Sequence, residues 1–267
     1  MALVFEKKNG IAYLTLNRPE VHNSLDPETI VELAAAWEEY RDDRSLRVAI
    51  ITGAGDKSFC AGADLGKLIP LITGAREPET DADRAVRNDP MLPQKALLRD
   101  FELYKPVIAA VNGHAIAGGM ELCQATDIRI AAENATFGLQ EVKWAIFPMG
   151  GSTVRLPRQI PYAAAMEILL TGERVDAREA HRLGFVNRVV PLNGLMDEAQ
   201  TVARRICDCG PLAVQAIKKA VVINTGRPLK EGLQKELEIG LPVFSTKDAR
   251  EGPRAFKEKR KPDYTGE

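Results

Sequence analysis

Short apolar runs separated by turn residues dominate the first half of the chain. Residues 3–7 and 11–16 have strand length and flank Asn9-Gly10, a pair typical of a tight β-hairpin turn. Residues 48–52 and 107–111 are continuous, β-branched-rich apolar runs, which indicates strands buried on both faces. The pattern therefore predicts a hairpin followed by buried strands.

Helical signals alternate with these strands and then dominate the second half. Asp26-Pro27 is typical of an N-cap followed by proline at the first helical position. It predicts a helix to about Tyr40 with one apolar face, formed by Ile30, Leu33, Ala34 and Trp37. Beyond Gly151 the pattern predicts helices over 161–171, 177–183, 195–207, 211–223 and 228–244, and a last strand over 185–190.

Residues 67–93 interrupt this alternation. The segment is rich in charged residues and contains several prolines, which favours an irregular and partly mobile excursion. A helix is expected to follow it over residues 94–102. The excursion would then connect two regular parts of the fold.

Composition and charge narrow the function classes. The 267 residues carry a formal net charge of −1 and four cysteines without disulfide spacing, which suits a reducing, cytoplasmic setting. A near-neutral chain has no general attraction for nucleic acid or anionic membranes. No apolar run reaches the ~18 residues of a membrane span, and no metal-ligand cluster stands out. We expect neither a membrane, nor a nucleic acid, nor a metal as partner.

The most informative stretch joins a buried strand to a helix through glycines. Residues 107–111 end at Asn112-Gly113, and Gly118-Gly119 then opens a helix at Met120. Free backbone N–H groups at such a helix start bind negative charge, and glycine lets a ligand approach the main chain closely. Taken alone, this turn is equally compatible with simple packing of a helix on a sheet.

Three motifs together carry a family resemblance that spans nearly the whole chain. They are CAGADL at 60–65, GGMEL at 118–122 and FGLQE at 137–141. With them the sequence closely resembles the crotonase (enoyl-CoA hydratase/isomerase) superfamily. The resemblance implies an α/β (α+β) fold, a spiral of ββα repeats over residues 1–194, followed by a helical trimerisation region over 195–267.

The same resemblance implies a catalytic centre built from two carboxylates and two backbone donors. Glu121 and Glu141 match the glutamates that hold one water between them in hydratases of this superfamily. We expect Glu121 to act as the base toward water and Glu141 to donate the proton that ends on Cα. The backbone N–H groups of Ala63 and Gly118 match the oxyanion hole, which binds the charge that develops on the thioester oxygen.

Further residues match positions that meet coenzyme A, which is part of the substrate, so no separate cofactor is expected. Within the chain they are Ala61, Asp64 and Leu65, and Phe256 and Lys259 reach over from an adjacent subunit. Lys57 is a further candidate, because an ammonium group suits the phosphates of coenzyme A, and Trp144 is a candidate for the apolar wall of a short-acyl pocket. Lys57 is equally compatible with a solvated surface position, and Trp144 with the core. The resemblance also implies a homo-oligomer, a trimer or a dimer of trimers, and an acyl pocket bordered by residues 67–93.

The leading function is therefore hydration of a short-chain 2-enoyl-CoA thioester. The glutamate pair could also direct water to the thioester carbonyl, giving hydrolysis, and 3-methylthioacryloyl-CoA is a compatible substrate. A triad hydrolase is disfavoured because the sequence contains no Gly-x-Ser-x-Gly motif. A non-catalytic or RNA-binding relative is the alternative of another class, against which the paired glutamates and the missing basic stripe both count.

Overall fold

The computed structural model describes all residues from Met1 to Glu267. In chain order its strands are Leu3–Lys8 (β1), Ile11–Leu16 (β2), Val48–Gly53 (β3), Ser58–Cys60 (β4), Val107–Val111 (β5), His114–Ile116 (β6), Ile128–Ala132 (β7), Thr136–Gly138 (β8), Val175–Asp176 (β9) and Arg188–Val190 (β10). They form a six-stranded sheet, β1-β2-β3-β5-β7-β10, and a four-stranded sheet, β4-β6-β8-β9. All neighbouring strands are parallel except the antiparallel β1/β2 and β8/β9 pairs.

Helices fill the remaining segments. They are Pro27–Asp42 (α1), Leu68–Thr73 (α2), Asp81–Asn88 (α3), Leu92–Ala96 (α4), Gly118–Ala125 (α5), Ser152–Gln159 (α6), Tyr162–Thr171 (α7), Ala177–Arg182 (α8), Leu195–Cys207 (α9), Pro211–Asn224 (α10), Leu229–Gly240 (α11) and Lys247–Lys257 (α12). Short 3-10 turns occur at Pro19–Val21, Gln140–Trp144, Leu192–Gly194 and Leu241–Ser245.

Strands occur in consecutive pairs that are shared between the two sheets. In β3-β4, β5-β6 and β7-β8, the first strand joins the larger sheet and the second joins the smaller one. A helical segment follows each pair before the chain returns to the larger sheet. This spiral of ββα turns confirms the predicted fold class and stacks the ends of β4, β6 and β8 beside one another.

The larger sheet is covered by helices on both faces. Ile30, Leu33 and Trp37 of α1 are buried in the main core on one face, as their helical spacing predicts. On the other face, α9 packs against β3, β5 and β7, with Ala199 and Ala203 fully buried. Double coverage explains why β5 is apolar at every position.

The segment 67–93 is not the irregular excursion that its composition suggests. It folds into α2 and α3, and Thr80 and Asp83 form a reciprocal capping box at the start of α3. Arg76 ties the preceding turn to Asp83 through an ion pair of 2.7 Å. The prediction of an irregular segment was wrong because these charged residues satisfy one another locally.

Other boundaries also differ from the sequence prediction. The helix expected over 94–102 is instead α4, which ends at Ala96 because Leu98 and Asp100 adopt positive φ angles of 53° and 54°. The last strand begins only at Arg188, and α12 was not predicted at all. The domain boundary between residues 194 and 195 stays a prediction.

Candidate active site

A cavity of about 840 Å³ lies where α5, the 3-10 turn at Gln140–Trp144 and the α2–α4 segment meet. Both predicted glutamates and both predicted oxyanion-hole residues line it. Three further predicted contact residues also line this cavity: Ala61, Leu65 and Trp144. The structure thus brings predicted residues from three separate stretches of the sequence to one cavity.

Glu121 is the fourth residue of α5 and is only 3% exposed. Its carboxylate accepts a hydrogen bond of 3.2 Å from the Ser152 hydroxyl, and the Ser152 backbone N–H lies 3.4 Å from the same oxygen. Burial raises the pKa of Glu121, while these donors and the Gly150 N–H limit the rise. The group is held in one orientation by partners from the start of α6.

Gly150 passes unusually close to this carboxylate. A Cβ added to Gly150 would lie 2.5 Å from Oε2 of Glu121 and 2.8 Å from a methyl group of Leu97. Real Cβ atoms do not make such contacts, so a side chain here would displace Glu121 or the loop. Glycine therefore lets the loop before α6 close over the first carboxylate.

Glu141 occupies a different environment in the Gln140–Trp144 turn. Its Oε2 atom is buried and has no hydrogen-bond partner within the protein. Burial, followed by the nearby charge of Glu121, raises the pKa of Glu141 to about 7. A carboxyl group with this pKa is protonated in a large fraction of the molecules at neutral pH and can then donate to a molecule in the cavity.

The two backbone donors lie where β4 and β6 end beside the start of α5. A Cβ on Gly118 would be 3.8 Å from the Ala63 nitrogen and 3.5 Å from the Cα of Gly62. The Ala63 N–H donates to no other group of the protein. As the first residue of α5, Gly118 presents an N–H without an intrahelical acceptor. Together they form a site for a negatively charged oxygen, helped by the positive end of α5.

An ionic network that sequence reasoning missed fixes the segment containing Ala63. Arg18 pairs with Asp64 at 3.1 Å and with Asp26 at 3.3 Å, and Lys67 pairs with Asp26 at 3.0 Å. Burial alone would raise the pKa of Asp64, but Arg18 and two backbone N–H groups hold it below its usual value. No local signal marks Arg18, because its partners lie 8 and 46 residues away.

The aromatic and aliphatic residues after Glu141 line the cavity instead of the core beneath the next helix. Trp144 is 66% exposed and lines the wall together with Ile146, Phe147 and Met149. The opposite wall comes from α2 and α3, including Leu68, Leu71, Ile72 and Val86. Residues 67–93 therefore border the cavity, as expected, although they do so as helices.

The other predicted coenzyme A contacts lie outside this cavity in the single chain. Lys57 is exposed on the turn before β4, and the Asp64 side chain is directed to Arg18. Phe256 at the end of α12 is 87% exposed, and Lys259 follows it in a left-handed turn. Their proposed contacts with substrate stay predictions.

Three further features bear on partners. The structure contains no group of three or more His, Cys, Asp or Glu side chains placed to hold a metal ion. No helix combines the length and apolar character needed to cross a bilayer. Gly53-Ala-Gly-Asp-Lys-Ser58 leads into β4 rather than a helix, so it does not form a nucleotide phosphate loop.

The ββα spiral, the glutamates at the cavity and the backbone anion site are the features that the crotonase resemblance implies. The sequence profile described as enoyl-CoA hydratase/isomerase matches residues 6–267. The chain belongs to the enoyl-CoA hydratase/isomerase family, and it is an enzyme of the enoyl-CoA hydratase type.

Three similar proteins illustrate this membership. An (E)-benzylidenesuccinyl-CoA hydratase of Thauera aromatica is 43% identical over 267 residues, covering 100% of both chains. A carnitinyl-CoA dehydratase of Citrobacter koseri is 42% identical, covering 99% of this chain and 98% of the relative. The crystal structure of an enoyl-CoA hydratase from Bacillus anthracis superposes with a TM-score of 0.90 at 39% identity over 100% of both chains.

Proposed function

We propose that this protein adds water across the 2,3 double bond of a 2-enoyl-CoA thioester. One observation carries the proposal: two glutamates from separate elements, the buried Glu121 and the half-buried Glu141, share a cavity with the backbone donors at Ala63 and Gly118. Such an arrangement can hold one water beside a polarised, conjugated thioester.

The reaction assigns a distinct role to each group. Water oxygen attacks Cβ while the carboxylate of Glu121 accepts one of its protons, and the π electrons move toward the thioester oxygen. The N–H groups of Ala63 and Gly118 bind the resulting enolate oxygen, and each such donor is typically worth about 10²–10³ in rate. When the carbonyl re-forms, Cα takes the proton of Glu141. The product is the 3-hydroxyacyl thioester.

The environments of the two glutamates support this division of roles. Glu121 receives hydrogen bonds that favour its charged form, as a base requires. Glu141 has a pKa near 7 and an unpaired oxygen, as a proton donor requires. A pair in which one member is charged and the other neutral is what close carboxyl groups favour.

The acyl group is proposed to be short, with Trp144 and Phe147 at the wall of its pocket. The two relatives above are named for thioesters of larger acyl groups, benzylidenesuccinyl and carnitinyl. A β-methylthio acyl group fits the same chemistry, because hydration would give a hemithioacetal that loses methanethiol. Direct attack of water on the thioester carbonyl is the competing hydrolysis.

A substrate panel tests the proposal. Purified protein is mixed with crotonyl-CoA, 3-methylthioacryloyl-CoA and a 3-aryl-2-enoyl-CoA, and loss of conjugated-thioester absorbance is followed beside free thiol. We expect loss of absorbance from crotonyl-CoA without release of thiol. Release of coenzyme A in step with the absorbance loss would instead establish hydrolysis, and no reaction with any substrate would overturn the proposal.

A further inference from the structure

A chain of three buried polar side chains ends at Glu121. The Gln124 side-chain nitrogen donates to the Ser152 hydroxyl at 2.9 Å, and that hydroxyl lies 3.2 Å from Oε1 of Glu121. The three residues are 2%, 0% and 3% exposed, respectively. Gln124 lies on the same helix as Glu121, whereas Ser152 begins α6, so the chain joins two elements.

Donor and acceptor counting fixes the direction of this chain. A hydroxyl has a single proton to donate, and an ionised carboxylate can only accept. Because the Gln124 amide nitrogen donates to Ser152, the Ser152 proton is left for Glu121. The opposite amide orientation would make two acceptors compete for one proton, and an ionised Glu121 could lose its side-chain donor.

Besides this hydroxyl, few side chains lie close enough to Glu121 to affect its ionisation. The charged groups facing it are Glu141 in the Gln140–Trp144 turn and Arg155 on α6. Arg155 donates its own hydrogen bonds to the carbonyls of Gly150 and Leu98, and so forms no direct ion pair with Glu121. Ser152 is therefore the side chain that directly holds the carboxylate.

We propose that Gln124 and Ser152 are positioning residues that orient the Glu121 carboxylate for proton transfer and favour its ionised form. This proposal rests on the proposed role of Glu121 as the base toward water. Gln124 acts only through Ser152: it orients the hydroxyl, and the hydroxyl orients the carboxylate. Neither residue touches the reacting atoms.

The variants that test it are Ser152→Ala, Ser152→Cys, Gln124→Met and the double variant Ser152→Ala/Gln124→Met. Thr126→Val is the matched control, because Thr126 is buried at the end of the same helix and donates to the Cys123 carbonyl, away from Glu121. The pH profile of kcat/KM for enoyl-CoA hydration is measured for each. The titration of Glu121 is followed separately by ¹³C NMR of glutamate-labelled protein without substrate, with Glu121→Gln assigning the signal.

Removal of the hydroxyl takes away a donor that stabilises the charged form, so the pKa of Glu121 rises in Ser152→Ala. We expect the acidic limb of the profile and the NMR titration to move up by about one pH unit. At pH values below that limb, kcat/KM of Ser152→Ala is then roughly tenfold lower than that of the wild type. Ser152→Cys, which retains a weak donor, shifts less. Gln124→Met shifts in the same direction, and the double variant matches Ser152→Ala because Gln124 acts through the hydroxyl.

Two results would overturn the proposal. One is an unchanged NMR titration in Ser152→Ala, and the other is a double variant whose shift equals the sum of the single shifts. Thr126→Val must retain the wild-type profile. Failure of the proposed function is recognised separately: wild type would hydrate no enoyl-CoA, while the substrate-free NMR titration would still decide whether Ser152 and Gln124 control Glu121.

Discussion

At the scale of single residues, the two glutamates differ through their surroundings and not through their chemistry. Glu121 accepts a hydrogen bond from the Ser152 hydroxyl, whereas Oε2 of Glu141 is buried without a hydrogen-bond partner. Burial raises the pKa of both groups, but the hydrogen-bond donors limit the rise at Glu121, whereas the charge of Glu121 adds to the rise at Glu141. The same side chain can therefore serve as base and as acid within one cavity.

The raised pKa of Glu141 predicts that kcat/KM for hydration depends on pH. As a proton donor it must be protonated, and burial raises its pKa to about 7. We expect kcat/KM for hydration to fall as pH rises through 7, approaching a tenfold loss per pH unit well above it. Stopped-flow measurements between pH 5.5 and 9 check this fall. The Glu141→Gln variant should lack this limb, and a wild-type profile that stays flat to pH 9 would contradict the assigned state.

Sequence motifs located Glu121, Glu141, Ala63 and Gly118, and the structure places all four on one cavity. Their catalytic roles remain proposals. The residues that hold them, such as Arg18, were not recognised, since a supporting contact is created only when distant segments fold together. Nothing in the sequence around Ser152, the first residue of α6, reveals that its hydroxyl meets Glu121.

At the scale of elements, the doubly buried strand β5 was predictable, whereas β7, which contains a buried charge, was not. β5 is a continuous apolar run, and its predicted bounds match the observed ones. β7 was missed because Arg129 interrupts it. That side chain is buried, donates to the carbonyls of Cys123 and Thr126, and lies over the Phe185 ring at 4.8 Å. These tertiary contacts thus allow a charged side chain to be buried in the core.

The α2–α3 segment illustrates the opposite error. Its charges and prolines suggested irregular chain, yet Pro70 lies in the first turn of α2, where proline is tolerated. Arg76 and Thr80 both contact Asp83, which anchors the start of α3. The resulting helices bring apolar side chains to the cavity, so this segment is a structured part of the cavity wall.

At the scale of the whole molecule, the ββα spiral followed from the family resemblance, because three strand pairs would not by themselves specify it. The C-terminal helices leave a large apolar surface uncovered in the single chain. Its residues are each more than half exposed: Ile217, Val221, Val222, Leu229, Leu233, Leu237, Leu241 and Phe244. Apolar surfaces of this kind usually mark protein interfaces.

The family resemblance implies a trimer or a dimer of trimers, and we expect this surface to form its interface. Leu233→Glu/Leu237→Glu places charges in the interface and should weaken association at least about tenfold. Lys230→Glu, on an exposed polar position of the same helix, is the control. Analytical ultracentrifugation measures both, and a wild type that sediments as a monomer at micromolar concentration would contradict the assembly.

The central claim is that Glu121 and Glu141 act together on one water. Its most direct test is the hydration rate of crotonyl-CoA by wild type, Glu121→Gln and Glu141→Gln, each confirmed as folded by thermal unfolding. Loss of a positioned acid or base should reduce kcat by about 10²–10⁴ in each variant. The double variant should fall little further, since the residues act as a unit. A folded single variant that keeps its rate within threefold of wild type would show that the pair is not the catalytic centre.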